Sequence, residues 1–497
     1  MKLIPLPIKD AFIIEFRQFH DNRGYLQEIY NEQKVPSEIE KFFPVKQNTL
    51  ARSKKNVLRG LHASPYCKLM TCAKGEIYDV IVDLRPDSPT YLRWVAVVLS
   101  DTNCRQMFVP PCCGHGYLSM GDDTIVMYVQ GGSYDPPNER GITPFDPIAD
   151  VHWPLSNGAA PLLSDKDKAA PNFTDASGVQ PKRKRVLILG ASGQVGGALQ
   201  EVLDKHRGKY VYYGTYNEHS QPYMTPFHFE QAAKDISYCD NIMMMCRPHV
   251  VYICTAFSWV DGNERFPEKA EAVNLTAVEM VTRAANNVNA KVVFFSSDYV
   301  FSGIENNNNN NIEVRLLSEK QATDPVSRYG ELKARAEQAV LKLQPTALVL
   351  RTSRVFGPEI QGKNFVYQIV KADKEGRQIK CLTEEISCAT YNRDLARAAF
   401  ELVEMGASGI FHCCGTEPMS KYEWGLQIVK HLNLSSTTVQ PLELSKKPPA
   451  EGVARRPTFV PMSTHKLRQQ LPDFRFHTLK EALADWQHKP RGKLVLQ

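Results

Sequence analysis

A chain of 497 residues exceeds what one ordinary core organises, and its length points to two or three domains. With 43% hydrophobic and 23% charged residues the composition is that of a folded globular protein, and a formal charge of +6 suits phosphorylated metabolites without calling for nucleic acid. No run of about 18 apolar residues occurs, and Met1–Phe16 scatters Lys, Asp and Glu among its apolar residues. Neither a membrane span nor a signal peptide is therefore expected, and the chain reads as cytoplasmic.

The first part of the chain reads as short strands. IYDVIVDL, LRWVAVVL and IVMYV are rich in Val, Ile and Tyr and are separated by Gly, Pro and Asp clusters, the pattern of an all-β barrel or jelly roll. Within it VLRGLH sets Arg59 close to His62, with Lys68 a few residues on. His62 has no H-x-H neighbour and His115 is the next candidate, so no metal is expected. The 12 cysteines are scattered; the pairs Cys112–Cys113 and Cys413–Cys414 lack C-x-x-C spacing, and all are read as reduced thiols without a function.

Near Phe173 the texture changes. NFTDASGVQPKRKR is polar and then basic, as expected of an exposed linker, and Pro181–Arg185 reads as its solvated end rather than a nuclear signal. The boundaries implied are 1–173, a linker at 174–184, and 185–497. Beyond the linker strand and helix patterns alternate, which argues a doubly wound parallel sheet of the Rossmann type. VLILGASGQVGGALQ carries G-x-x-G-x-x-G at Gly190, Gly193 and Gly196, directly after an apolar strand and opening a helix, as a dinucleotide site requires. Gln194 and Val195 in that turn, and Thr255 and Ala256 after the strand VVYIC, are expected on the cofactor. The next strand ends at VYYGTYNE with no acid at its tip unless Glu218 reaches back. That favours NADPH over NADH, although no Arg stands there for a 2′-phosphate.

Ser297 in FFSSDYVF and the Y-x-x-x-K of Tyr329 and Lys333 complete a Ser–Tyr–Lys set suited to ketone reduction. Tyr329 would protonate the carbonyl oxygen, Ser297 hydrogen-bond it, and Lys333 lower the phenol's pKa. Between them lies the low-complexity tract Asn306–Asn311, expected to be a disordered surface loop.

The N-terminal motifs DNRGYLQE, NVLRGLH, KGEIYDVIVDLRPDSPTY, VPPCCGHGYL, IVMY, ERGI and WPLSNGAAPLLSDKDKAAP together resemble dTDP-4-dehydrorhamnose 3,5-epimerases over nearly all of residues 1–173. That family is a metal-free cupin-type jelly roll, usually a dimer. The resemblance implies His62 as base, oriented by Asp167, Tyr128 as the acid on the opposite face, and Lys68 stabilising charge on the C4 oxygen. It puts Arg23 and Arg59 on the pyrophosphate and Glu28, Gln47 and His115 on other parts of the substrate. QNTLA stands where the family has QDNHS, so Thr49 replaces Asn.

VVYICTAFSWVDGNE, AVNLTA, FFSSDYVFSG, SRYGELKARAE, LVLRTSRVFGP and ARRP are similar to dTDP-4-dehydrorhamnose reductases, extended short-chain dehydrogenases, and more so to the reductase portions of UDP-rhamnose synthases. The match spans about residues 184–470, with a smaller C-terminal substrate subdomain. It implies Val260, Asp261 and Glu264 near cofactor and sugar, and Arg456, or its neighbour Arg455, on the substrate. Ser297 replaces the usual Thr, and TEEISCAT replaces DQxGSPT.

The two resemblances catalyse consecutive steps on one nucleotide sugar. They imply conversion of dTDP- or UDP-4-keto-6-deoxyglucose to the L-rhamnose nucleotide, in a homodimer formed through the cupin domain. One dinucleotide fingerprint serves one reductase, so a separate 4,6-dehydratase must supply the substrate. A 6-deoxy-L-talose product and a non-catalytic regulatory subunit are the alternatives. The Ser297–Tyr329–Lys333 set counts against the second.

Overall fold

The computed structural model describes residues 2–155, 159–174, 181–303, 316–443 and 450–488, which leaves the Asn306–Asn311 tract and positions 175–180 of the linker outside the described residues. Two compact units divide the chain, one of Met1–Val186, His206–Pro226 and Asn241–Pro248, the other of Leu187–Lys205, Phe227–Asp240 and His249–Gln497.

The first unit is antiparallel. One sheet holds β1 (Lys2–Pro5), β2 (Phe12–Glu15), β5 (Gln47–Ser53), β7 (Lys68–Lys74), β10 (Arg105–Val109) and β12 (Thr124–Gln130), in the order β1-β2-β10-β7-β12-β5. The other holds β6 (Leu58–Ala63), β8 (Glu76–Val82), β9 (Trp94–Ser100), β11 (Gly114–Ser119) and β13 (Arg140–Gly141), in the order β13-β6-β11-β8-β9. A separate hairpin is made by β3 (Gln18–Asp21) and β4 (Gly24–Gln27). Strand alternation splits each sheet into two faces. Leu58, Leu61, Tyr78, Val80, Trp94 and Leu118 bury one face of the second sheet, while Leu69, Phe108 and Val129 join Ile14 and Ile39 in a cluster on the first.

Between β6 and β11 the register slips: Tyr117 pairs with Arg59 but His115 pairs with His62, so three steps on β6 oppose two on β11. This bulge at Gly60–Leu61 breaks the period of two. It keeps Leu58, Leu61 and Ala63 in the core cluster while Arg59 and His62 share the opposite face. Gly60 is needed there. Its φ is +131°, and a Cβ would come within 2.5 Å of Gly116 Cα.

A seven-stranded sheet forms the α/β part. It comprises β14 (Lys184–Leu189), β15 (Tyr210–Tyr216), β16 (Met224–Pro226), β17 (Val250–Ile253), β18 (Lys291–Ser297), β19 (Leu348–Thr352) and a last strand Gly409–His412, in the order β16-β15-β14-β17-β18-β19 and then that strand. The pairings β15–β16, β17–β18, β18–β19 and β19 with the last strand are parallel. β17 and β19 are buried throughout, as strands covered on both faces must be. The order reverses between β14 and β17, and ligands of open α/β sheets bind at such a switch point. A second core of Phe356, Phe365, Trp424, Leu483 and Trp486 builds the smaller C-terminal part.

One expectation is corrected. Pro181–Arg185 does not end as a solvated basic stretch: Arg183 and Arg185 are buried. The Arg183 guanidinium donates to the Leu92 carbonyl at 2.5 Å while its Nε has no partner among the described residues, and Arg185 pairs with Asp150. All twelve cysteines are unpaired, Cys112 being the exposed one. Among the described residues no helix is long and apolar enough to cross a membrane.

Candidate active sites

A cavity of about 470 Å³ opens between the two antiparallel sheets. The bulged β6 gives it Arg59 and His62, and β11 gives His115 and Tyr117. From the facing sheet β7 supplies Lys68 and Met70, and β12 supplies Tyr128. The short helix Asp165–Lys168, capped by Ser164, whose side chain accepts from the Asp167 N–H, brings in Asp167 and Lys166.

His62 Nε2 lies 2.7 Å from Asp167 Oδ1. A carboxylate can only accept, so Nε2 carries the proton and Nδ1 keeps the free lone pair. Burial works to raise the Asp167 pKa, but the hydrogen bond and charge of His62 prevail and hold it below the usual carboxylate range. A second pair lies deeper: His115 Nε2 is 2.7 Å from Asp79 Oδ1, and Asp79 is fully buried. Burial lowers the Lys68 pKa against the opposing pull of Glu139 and Asp79, so its ammonium is poised beside the cavity. The Tyr128 phenol is pushed well up, burial being the largest cause, which keeps its proton in place at neutral pH.

Arg59, His62, Lys68, His115, Tyr128 and Asp167, six of the residues expected from the sequence, thus line one cavity. Arg23, Glu28 and Gln47 do not. Arg23 pairs with Asp21 at 2.6 Å on the exposed hairpin, and Glu28 binds Lys34 at 3.0 Å. Gln47 donates to Thr49 Oγ1 at 3.0 Å, and Thr49 donates to Gln130 Oε1 at 3.1 Å, so the departing Thr is built into a strand-edge amide chain. Tyr117, Lys166 and Ser164 line the cavity and were missed. Alternation along HGY could have found Tyr117, two residues from His115.

In the α/β part Ser297 ends β18, and Tyr329 and Lys333 sit one turn apart on the helix Arg328–Leu343, whose cap Ser327 accepts from the Gly330 N–H. Lys333 is 3% exposed; its ammonium donates to the Phe295 carbonyl at 2.9 Å and lies 4.7 Å from the Phe294 ring centre. Burial lowers its pKa to about 8, against the pull of Glu337. Burial, with the charge of Asp298, drives the Tyr329 phenol upward. Asp298, buried and raised to about 6, accepts from Ser297 Oγ at 3.0 Å and Ser353 Oγ at 2.6 Å. Glu264 accepts from the Arg328 N–H at 2.9 Å and so anchors the start of the Tyr329 helix. Val260 begins the helix Val260–Arg265, and Asp261 on it pairs with Arg456 at 2.9 Å, while Arg455 is exposed. Asp298, Tyr299 and Glu385 were not singled out in the sequence; Tyr299 donates to Glu385 at 3.0 Å and sets its ring edge-on to Tyr329.

The glycine turn fits a dinucleotide. Gly190 has φ +86°, and a Cβ on it would fall 2.5 Å from Thr255 Oγ1; one on Gly196 would fall 2.4 Å from the Gly190 carbonyl. Gly193 caps the helix Gln194–Asp204, which leaves that helix N-terminus open to a phosphate. The buried Gln194 Nε2 has no partner among the described residues. Val195 follows on the first turn, and Thr255 with Ala256 leads to Phe257, whose N–H and C=O are both held by Asn274.

A His–Asp pair and a buried tyrosine on facing sheets of one cavity, together with a dinucleotide turn and a Ser–Tyr–Lys set in the same chain, fit an enzyme that is both epimerase and NAD(P)H-dependent oxidoreductase. Residues 184–489 match the family described as RmlD substrate binding domain, and residues 5–175 match dTDP-4-dehydrorhamnose 3,5-epimerase; the chain belongs to both, as a fusion that makes NDP-rhamnose. The dTDP-4-dehydrorhamnose 3,5-epimerase of Shigella flexneri is 38% identical over 180 residues, 35% of this chain and 98% of that protein. That of Mycobacterium tuberculosis strain H37Rv is 38% identical over 188 residues, 37% of this chain and 93% of that protein. Among solved structures, dTDP-4-dehydrorhamnose reductase from Bacillus anthracis str. Ames in complex with NADP has a TM-score of 0.51 at 27% identity, covering 62% of this chain and 99% of its own. A hypothetical dTDP-4-dehydrorhamnose reductase from Sulfolobus tokodaii has a TM-score of 0.50 at 28% identity, covering 59% and 97%.

Proposed function

We propose that the chain takes NDP-4-keto-6-deoxyglucose through both steps with the following division of labour. His62 Nδ1 removes the proton next to the ketone and Tyr128 returns one from the other side. The observation that carries this is their placement on opposite sheets across one cavity, because inversion needs a base and an acid on opposite faces. Lys68 stabilises the oxygen charge that builds up between the two transfers, and Arg59 holds the pyrophosphate. In the α/β part bound NADPH supplies the hydride for C4. Tyr329 then protonates the oxygen, Ser297 orients it, and Lys333 eases the phenol's loss of its proton.

The division falls at residues 1–173, 174–184 and 185–497, the protein works in the cytoplasm, and a separate 4,6-dehydratase supplies the substrate. It is a homodimer through the N-terminal unit, a reading supported by the exposed Phe19 and Leu26 of the β3–β4 hairpin and Leu50 on the edge strand β5.

The test incubates the full chain with dTDP- or UDP-4-keto-6-deoxyglucose and NADPH or NADH, following absorbance at 340 nm and then the product by NMR. L-rhamno product, formed faster with NADPH, is expected, and the nucleotide that turns over names itself. A talo configuration at C4 would correct the product. Solvent deuterium uptake with no NAD(P)H oxidation would overturn the reductase half.

A further inference from the structure

Four polar groups form a line across the epimerase cavity. Arg59 Nε donates to Ser53 Oγ at 3.2 Å, Ser53 Oγ lies 3.3 Å from the Tyr117 hydroxyl, and that hydroxyl lies 3.3 Å from the hydroxyl of Tyr128. Ser53 is 4% exposed and Tyr117 1%, so neither can turn to bulk water. A guanidinium only donates, so the Ser53 oxygen accepts from Arg59, while each hydroxyl along the line can donate as well as accept. One arrangement of the three protons runs from Ser53 to the Tyr117 oxygen and from Tyr117 to the Tyr128 oxygen, and it leaves the Tyr128 proton facing the cavity.

We propose that Tyr117 is a positioning residue for epimerisation: its hydroxyl relays the Arg59 charge, through Ser53, to the Tyr128 oxygen, turning the Tyr128 O–H towards the substrate and stabilising that oxygen after its proton has left. The inference rests on the reading of His62 as base and Tyr128 as acid. In the step concerned, His62 Nδ1 takes the proton of the carbon beside the ketone, and the C–H electron pair becomes the enolate. The Tyr128 O–H bond then breaks, its proton joins the opposite face of that carbon, and its electron pair stays on Tyr128 as phenolate. The proton on His62 leaves to solvent and one from solvent restores Tyr128, so the balance closes without a co-reactant. In the buried cavity that transient phenolate has Tyr117 as its hydroxyl donor.

Tyr117 therefore acts on one of two separable events. His62 can return a solvent-derived proton to the face it came from, which exchanges hydrogen without inverting carbon. Only Tyr128 gives inversion. The experiment follows full-length wild type, Tyr117→Phe, Ser53→Ala and Tyr128→Phe in deuterium oxide with NDP-4-keto-6-deoxyglucose and no NAD(P)H, by NMR. Loss of a hydrogen bond to a developing charge slows a step by about 10- to 100-fold. Tyr117→Phe is expected to slow inversion by that factor while same-face exchange and KM stay at wild-type values. Ser53→Ala is expected to move the same ratio in the same direction by less. NADPH oxidation by Tyr117→Phe on pre-epimerised substrate checks that the chain is folded. If Tyr117→Phe inverts at the wild-type rate while Tyr128→Phe does not invert, the relay is wrong and the acid assignment stands. Equal losses of exchange and inversion in Tyr117→Phe would make its role structural and overturn the relay. Normal inversion by Tyr128→Phe would overturn the acid assignment and the relay with it.

Discussion

Lys333 shows how one buried charge sets a pH limit. Its ammonium has exchanged water for one carbonyl and an aromatic face, so its folded pKa of about 8 lies below that of a free lysine. The sign follows directly. As pH rises through about 8 the proton is lost, and with it the positive charge that eases ionisation of Tyr329. Reductase kcat/KM, which reports the free enzyme, is therefore expected to fall above pH 8 when NADPH oxidation is followed on pre-epimerised substrate. Lys333→Arg keeps its charge, so it should lose this alkaline limb even if its kcat is lower; a limb unchanged in that variant would assign the titration elsewhere. Lys333 was legible in sequence because the Y-x-x-x-K spacing is local to one helix. Asp298 was not, because its weight comes from Ser353, 55 positions away, and from burial. Arg23 and Glu28 show the converse: matching residues are legible without their location, and both lie outside this chain's cavity.

At the scale of elements the β6 bulge decides which side chains meet. A regular strand would put Arg59 and Leu61 on one face and His62 on the face of Leu58, so alternation alone misplaces His62. Gly60→Ala must fit a Cβ 2.5 Å from Gly116 Cα and 2.8 Å from the His115 carbonyl, at φ +131°. Those contacts are backbone and cannot swing away. Strain of about 1–3 kcal/mol is expected, seen as a Tm lower by several degrees and epimerase turnover down at least tenfold, with the reductase rate retained. Unchanged epimerase activity would mean that the bulge does not set His62. The hairpin makes a second element-scale expectation. Leu26 is 74% exposed on the hairpin, and Leu50 is 61% exposed on an edge strand whose outer side is unpaired among the described strands. The proposed homodimer predicts that the wild type sediments as a dimer and a Leu26→Glu, Leu50→Glu double variant as a monomer; a dimer in both would place the interface elsewhere, and a monomeric wild type would overturn the homodimer. The alternating Val, Ile and Tyr pattern had made the strands legible; the hairpin and the bulge were not, because no periodicity encodes them.

For the whole molecule, the question is whether the two chemistries depend on one another. His62, Asp167, Lys68, Tyr117 and Tyr128 all belong to the first compact unit, and Ser297, Tyr329 and Lys333 to the second. Each proposed set lies within one unit. The proposed intermediate, an NDP-4-keto-L-rhamnose, is a charged and water-soluble molecule, and with no handover it passes through solvent before it is reduced. His62→Ala should therefore retain reductase activity on pre-epimerised substrate, and Tyr329→Phe should retain epimerase activity measured by deuterium uptake. Neither alone should form the L-rhamno product from NDP-4-keto-6-deoxyglucose. An equimolar mixture should form it, after a lag in NADPH oxidation that shortens as the concentration of the Tyr329→Phe chain is raised, because that chain fills the shared pool of intermediate. Wild type at the same concentration should show a lag set by the same pool. A mixture that stays inactive while each variant keeps its own half-reaction would show that the intermediate does not escape the chain, and fusion would then be a means of handover instead of co-production.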